Sequence, residues 1–353
     1  MRTSAEPCSS IRSSPSSARC CSITTISEAF VLAAGTGTRL RPFTEYRAKP
    51  LLPLLGVPTV QFAADLLSKA GVQNVVGNVH WLLEDTEKRL GELDWGGANF
   101  SVSRETAEIL GGAGGAVQAL PKLGSGPFFY VNGDVLCDAD LGALAHRHQQ
   151  LAARHGVQAT LLLCERGMGG SGSYREVNLD AQGERIRAFG EVKKNVPYFA
   201  GVMVMDPKLL AGLTPGKPAE MFDLVLKPAA AKGLLGVHMH HGLWIDVGDV
   251  GLWRDAHLQL AERHAAGRLP APWARRLSQA IERGLGGGFR LREAAAPPQG
   301  AQWHGPYFWA GTGLAPPKIQ PGAVFYGEFT GGAVQTLGPG MGWNGIWKTL
   351  PSP

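Results

Sequence analysis

The sequence predicts an α/β protein built as a three-layer, mixed and mostly parallel sheet with helices on both faces. Three observations predict it. Short apolar runs recur at residues 30–33, 74–79, 127–131 and 157–164, too continuous for strands with one wet face. Helix-period segments alternate with them at 60–70, 82–90 and 141–154. A chain of 353 residues, 44% apolar, has enough material to cover such a sheet on both sides.

Residues 1–27 are rich in Ser, Arg, Cys and Pro and lack the apolar centre of a signal peptide, so they read as a disordered extension. Order begins near Ala29. The strand at 30–33 runs into the Gly-rich stretch Ala34-Gly-Thr-Gly-Thr-Arg39, and Gly71 stops the helix at 60–70. A strand at 99–103 follows the helix at 82–90. The run at 127–131 ends at Asn132-Gly-Asp134. After Gly167 the pattern changes. Strands at 174–179 and 184–190 form a hairpin across Asp180-Ala-Gln-Gly183, and Asp206-Pro207 stops a strand at 199–205. A helix at 219–231, a strand at 234–245 returning to the sheet, and a basic helical region at 250–283 complete the readable part. Thereafter Gly284, Pro297-Pro298 and Pro316-Pro317 punctuate short strands and loops. Loosely hexapeptide-spaced glycines near Pro321-Gly-Ala-Val324 raise a turn of parallel β-helix as one reading. The chain thus divides into an extension (1–27), a globular domain (28–260) and a Gly/Pro-rich C-terminal extension (261–353).

Composition excludes several function classes. The net charge of +5 suits phosphorylated substrates, but no dense Lys/Arg run is interleaved with aromatics, so no nucleic-acid partner is expected. No stretch approaches about 18 consecutive apolar residues, so no membrane partner is expected. Cys8, Cys20, Cys21, Cys137 and Cys164 have neither a disulfide-scaffold nor a metal-knuckle spacing, which points to a reducing, cytoplasmic compartment. The sequence specifies no oligomeric state.

The chemistry-bearing residues sit at strand ends. In the loop after the first strand, Gly35 and Gly37 let successive N–H groups approach phosphate oxygens, and Arg39 can add a bidentate contact. The loop is not a Rossmann fingerprint, because position 40 is Leu, nor a Walker A loop, because Gly-Lys-Ser/Thr is missing. Lys49, held beside Pro50, can offset phosphoryl charge; the same residue as a solvated surface lysine is the competing reading. Asp134 and Asp246 each end an apolar run, where an open α/β sheet binds ligands, and two such carboxylates can hold one Mg²⁺. Asp138 and Asp140 compete as ligands, although Asp140 better suits an N-cap. A second Gly-rich loop at 108–115 can lie flat against a base, with a flexible lid as the competing reading. His238, His240 and His241 invite a zinc reading but have no companion ligand at a recognisable spacing.

Together these motifs resemble those of the sugar-phosphate nucleotidyltransferases, the NDP-sugar pyrophosphorylases, over residues 29–260. The nearest subgroups are those acting on mannose 1-phosphate with GTP and on N-acetylmuramate 1-phosphate with UTP. The run from Phe30 to Pro42, with Ala33, Ala34, Gly35, Gly37, Thr38 and Arg39, is similar to the family's triphosphate loop, and Lys49-Pro50 to its Lys-Pro element. Glu108, Gly111 and Gly114 lie in a segment resembling the one that binds the base, with Gly112 where the family has Thr. Val131-Asn-Gly-Asp134 and Trp244-Ile-Asp-Val-Gly248 resemble its two metal-aspartate motifs. Glu191 and Lys193 resemble its Glu-Lys sugar-phosphate pair, with Val192 between them, and Phe199-Ala-Gly-Val202 its sugar strand, with Gly201 at the sugar.

The resemblance implies a nucleotide-diphospho-sugar transferase-like fold and an enzyme that takes an NTP and a sugar 1-phosphate. Sugar-phosphate oxygen attacks the α-phosphorus in line, with Arg39, Lys49, Asp134 and Asp246 as catalytic residues and Mg²⁺ on the two aspartates. A hexose 1-phosphate with GTP or UTP is the expected pair. Three alternatives stand beside it: a phosphocholine-type cytidylyltransferase, an NDP-sugar-dependent glycosyltransferase, for which Asp138-Ala-Asp140 has the right spelling, and a non-catalytic sugar-nucleotide sensor.

Overall fold

The structure, a computed structural model, describes residues 25–285 except 42, 46 and 166–171, and beyond them only four short strand segments. In chain order the elements are β1 (Glu28–Leu32), a small ribbon of β2 (Pro53–Leu54) and β3 (Val57–Pro58), α1 (Thr59–Lys69), β4 (Asn74–Val79), α2 (Leu83–Gly91) and β5 (Asn99–Arg104). Next come α3 (Gly111–Ala119), β6 (Phe128–Asn132), β7 (Val135–Cys137), α4 (Leu141–His155) and β8 (Ala159–Cys164). The chain continues through β9 (Tyr174–Leu179), β10 (Ile186–Lys193), β11 (Tyr198–Met205), α5 (Lys227–Ala231), β12 (Leu235–His240), β13 (Trp244–Asp246), α6 (Val250–Ala265) and α7 (Ala271–Leu285). The remaining segments are β14 (Phe289–Arg290), β15 (Gln302–His304), β16 (Tyr307–Trp309) and β17 (Glu328–Phe329). The expectations for residues 1–24, and the β-helix reading near Val324, lie outside the described residues.

The main sheet has nine strands. Its parallel part runs β5-β4-β1-β6, and β8 and β12 form a second parallel pair. Antiparallel β11 joins the two by pairing with β6 and β8. Past the end of β6, Tyr198 of β11 pairs with Glu176, which hangs the β9–β10 hairpin on the sheet. Burial on both faces explains the apolar runs. Val31, Val75 and Val131 pack under α1 and α4, while Phe30, Val76 and Tyr130, one residue away, pack under α3 and α5. No helix among the described residues is long and apolar enough to cross a membrane.

Three expectations are corrected. The run at 234–245 is two strands. β12 stays in the sheet, but the Leu243 N–H donates to Asp138 Oδ1 (2.7 Å), and β13 leaves to pair antiparallel with β7. The Gly-rich segment at 108–115 is a loop only to Leu110; Gly111 onward is the helix α3. The helix expected at 219–231 begins at Met221 and is a π-helix over Phe222–Leu226. Pro228 has no N–H to give to Leu224, so the turn before it widens.

The expected domain boundary at 260 falls inside α6. Beyond it, α7 packs Trp273, Leu277 and Ala280 into the same core as Phe62 and Trp253. Its Arg276 Nε donates to both Asp65 oxygens on α1 (2.7 Å each).

Candidate active site

β1 is followed by buried Ala33 and Ala34, and the chain then turns through exposed Gly35 into a short 3₁₀ turn, Thr38–Leu40. Gly37 has φ +64°, and a Cβ there would meet Thr44 Cγ2 at 2.7 Å. Only glycine fits. Two anchors hold the loop: the Thr44 hydroxyl donates to Gly37 O (2.9 Å), and Ala33 N–H donates to Asn78 Oδ1 (2.7 Å).

The second anchor continues inward. Asn78 Nδ2 donates to Glu105 Oε1 (2.7 Å), and Glu105 Oε2 accepts from Leu110 N–H (2.8 Å) at the head of α3. Glu105 is buried, and burial holds its carboxyl above the ordinary value against the opposing pull of those two donors. A relay of side chains therefore joins the loop after β1 to the segment carrying Glu108, Gly111 and Gly114. The glycines of α3 are packing residues. A Cβ at Gly111 would strike Glu220 Oε1 at 2.7 Å, one at Gly114 Lys217 O at 2.6 Å, and one at Gly115 Asn78 Nδ2 at 2.5 Å. Sequence reasoning missed the relay, because no local signal marks Asn78 or Glu105.

Lys49 stands in a 3₁₀ turn with Pro50 and is not a solvated surface lysine. Its ammonium pairs with the Asp134 carboxylate, and its side chain is 11% exposed. Asp134 is aimed by the turn between β6 and β7. Gly133 N–H donates to Leu32 O (3.0 Å), so close that a Cβ on Gly133 would lie 2.9 Å from that oxygen. Asp246 arrives on β13, paired opposite Val135, because β13 left the main sheet. Burial and the like charge of Asp134 hold the Asp246 carboxyl above its ordinary value, while Lys49, the Tyr174 hydroxyl and Arg39 pull it down. The Tyr174 hydroxyl donates to Asp246 Oδ2 (3.1 Å). Its ring stacks on Tyr198 (4.2 Å between centroids) and meets Trp244 edge-on (5.3 Å).

These groups line one cleft of ≈ 620 Å³, shared by Arg39, Lys49, Asp134, Asp246, Asn132 and Gly201. Gly201 has φ +81° at a register break in β11, and a Cβ on it would meet Asn132 Nδ2 at 2.9 Å. The Trp244 indole donates to Ala200 O (2.9 Å) and holds this bulge against the cleft. Tyr174 and Arg175 also line it and were not foreseen, since they follow a Gly/Ser stretch without periodicity.

Other predicted residues stand elsewhere. Of the loop after β1, only Arg39 lines the cleft. Glu108 is exposed on the approach to α3. Glu191 and Lys193 lie on β10 outside the lining; Lys193 Nζ sits 3.7 Å from both Glu176 and Glu191, whose side chain is 85% exposed. Asp138 holds Leu243, and Asp140 caps α4 by accepting from Ala143 N–H (2.9 Å), as its position predicted. His240 contacts Cys137 Sγ (3.5 Å) and Leu243 O (3.1 Å). Among the described residues no group of three or more His, Cys, Asp or Glu is arranged to hold a metal ion. Among the groups that line the cleft are the Asp134 and Asp246 carboxylates, a lysine paired with Asp134, and Arg39, a set suited to handling phosphoryl charge.

Comparison with known proteins agrees with that chemistry. A family model described as nucleotidyl transferase matches residues 28–263. The N-acetylmuramate α-1-phosphate uridylyltransferase of Neisseria meningitidis serogroup B is 34% identical over 229 residues, 65% of this chain and 96% of that protein. Its namesake from Caulobacter vibrioides is 32% identical over 66% of this chain and 97% of its own. The mannose-1-phosphate guanylyltransferase catalytic subunit beta of Xenopus tropicalis is 29% identical over 63% of this chain and 61% of its own. Among solved structures, HddC from Yersinia pseudotuberculosis superposes with TM-score 0.54 at 17% identity, covering 66% of this chain and 99% of that one. The inositol-1-phosphate CTP transferase from T. maritima gives 0.51 at 21%, covering 73% and 97%. At such identities they speak for the fold, the same mixed, largely parallel sheet flanked by helices. The chain belongs to the nucleotidyl transferase family and is an enzyme of the NDP-sugar pyrophosphorylase type, joining an NTP to a sugar 1-phosphate.

Proposed function

We propose that this enzyme forms UDP-N-acetylmuramate and pyrophosphate from UTP and N-acetylmuramate 1-phosphate. Relatives named for that sugar are matched over 96 and 97% of their length, against 61% for the mannose-1-phosphate relative. The carrying observation on the chemistry is the juxtaposition of Lys49, Asp134 and Asp246 in one cleft with Arg39 at its rim.

The residues divide the work as follows. The loop from Ala33 through Gly35, Gly37 and Thr38 to Arg39 receives the triphosphate. The relay from Ala33 to Leu110 sets this loop against Glu108, Gly111 and Gly114, so the base lies between the two segments. The sugar lies along Phe199–Gly201. A phosphate monoester is already anionic, so its oxygen forms the new bond to the α-phosphorus without a strong base. The bond to the β-phosphate oxygen breaks, and that electron pair leaves with pyrophosphate. Lys49 lies where the two anions meet and offsets their repulsion; Arg39 stabilises the departing charge.

The donor set fits Mg²⁺, because a buried carboxylate and the like charge of Asp134, lining one cleft, are relieved by a hard dication with oxygen preference. Asp134 and Asp246 would hold it, and when bound it would supply charge neutralisation at the α-phosphate. A cytoplasmic location suits NTP substrates and the buried free thiols of Cys137 and Cys164.

The test is a pyrophosphate-release screen of the four NTPs against N-acetylmuramate, N-acetylglucosamine, mannose and glucose 1-phosphates, with phosphocholine included. Release should be fastest with UTP and N-acetylmuramate 1-phosphate. Fastest release with GTP and mannose 1-phosphate, or with CTP and phosphocholine, would replace this reading.

A further inference from the structure

We propose that Arg175 receives the lactyl carboxylate of N-acetylmuramate 1-phosphate and is the residue by which the cleft prefers this acidic sugar to N-acetylglucosamine 1-phosphate. The inference rests on the N-acetylmuramate reading above. The two sugars differ only in the lactyl ether, which adds one carboxylate and no other charge.

Position comes first. Tyr198 of β11 pairs with Glu176 of β9, so Arg175 stands beside the Phe199–Gly201 stretch on the sugar side of the cleft, which it lines. It is also held ready. Its guanidinium lies 4.1 Å from the centre of the Phe222 ring, and one N–H donates to Gly190 O (3.2 Å). Phe222 is itself fixed edge-on against Phe189 (5.0 Å). One carbonyl uses one of the five guanidinium donors, which leaves the fork geometry for a carboxylate.

Charge decides between the cations. Lys49 is paired with Asp134, and Arg39 lies in the loop after β1, on the triphosphate side. Lys193, on the neighbouring strand, has Glu176 and Glu191 each 3.7 Å away. Among the described residues no carboxylate pairs with Arg175. Asp249 lines the cleft as well, so an acidic sugar is best met by a cation on the sugar wall that no carboxylate already pairs. Arg175 is that cation.

The experiment measures kcat/KM for both sugar phosphates, and their Kd by calorimetry without NTP, in wild type, Arg175→Gln and Arg175→Lys. Wild type should favour N-acetylmuramate 1-phosphate in both measurements. Arg175→Gln should lose roughly 30-fold on that substrate, the scale of one charged hydrogen-bonded pair, and under threefold on N-acetylglucosamine 1-phosphate. Arg175→Lys should fall between, keeping charge without the fork. Equal losses on both sugars would mean that Arg175 meets the shared phosphate or only props up β9, and would overturn the inference, as would an unchanged ratio. A wild type that uses neither sugar with UTP would instead remove the N-acetylmuramate reading itself.

Discussion

The two sides of the cleft are built differently. On the proposed nucleotide side, parallel strands β1, β4 and β5 deliver Ala33, Asn78 and Glu105 to one buried relay, so backbone positions are set by buried side chains. On the proposed sugar side, the β9–β10 hairpin is tied to the sheet by the Tyr198–Glu176 pairing, a bridge from Arg185 to Gly236 and buried Val177 and Ile186, while Arg175, Glu191 and Lys193 on it are exposed. A loop that, as proposed, receives the triphosphate shared by all NTPs profits from being fixed. A sugar pocket that must differ between enzymes profits from residues whose exchange does not disturb a core.

The largest effect should come where the halves meet. Asp246→Asn is expected to lower kcat on the order of 10³-fold, measured at saturating substrates. The thermal midpoint should hold or rise, since a carboxylate crowded by Asp134 is removed. A large fall in the midpoint would make Asp246 a structural residue.

Next in size is the relay. Glu105→Gln places a donor against one of two donors, costing about 1–3 kcal/mol of stability and raising KM for the NTP several-fold, with the Kd of the sugar phosphate unchanged. Equal losses for both substrates would erase the proposed division between sides. The relay also has a pH signature. Because Glu105 holds its proton to higher pH folded than unfolded, wild-type stability falls as pH rises from the ordinary glutamate value through the raised one. Denaturation curves of Glu105→Gln across that window should lack this component of the decline.

A smaller change is expected at Gly201→Ala. Its φ of +81° and the nearby Asn132 should cost about 1–2 kcal/mol and weaken sugar-phosphate binding more than NTP binding. The smallest belongs to Lys193→Gln. Compensated by two glutamates and outside the cleft, it should change kcat/KM by under twofold. A tenfold loss would bring β10 into the site and restore the expected Glu191–Lys193 pair.

Much of this was legible in the sequence, for a physical reason. Strands covered on both faces must be largely apolar, so β4 matches its expected limits at both ends, while β9, half exposed, matches through the turn at Asp180–Gly183 that ends it. Asp134 and Asp246 were legible because each ends such a run. What stayed hidden depended on partners far along the chain. The split of the run at 234–245 comes from Asp138, more than a hundred residues earlier, capturing the Leu243 N–H. Helix α3 carries glycine at positions where helical propensity argues against a helix, and only the atoms of Lys217, Glu220 and Asn78 explain why nothing larger fits. Arg175 carried no signal, since one arginine on a hairpin strand looks like any solvated charge until Phe222 is seen beneath it.

The C-terminal helices have a consequence for how the enzyme fails. Trp253 of α6 donates to Pro53 O (3.2 Å) and meets Phe43 edge-on (4.9 Å), so this helix braces the segment just after Lys49. It also begins four residues after Asp246. Helix α7 locks against α1 through Arg276 and through Trp273 on Phe62 (5.0 Å). None of these contacts involves the strands of the main sheet. Detachment of α7 would take away the backing of α6 and so loosen the segments beside Lys49 and Asp246 while the nine strands remain paired. Inactivation on warming should therefore precede the loss of sheet signal. A chain cut at residue 263, where the family match ends, would bare Phe62 and age quickly in storage even though its spectrum looked native.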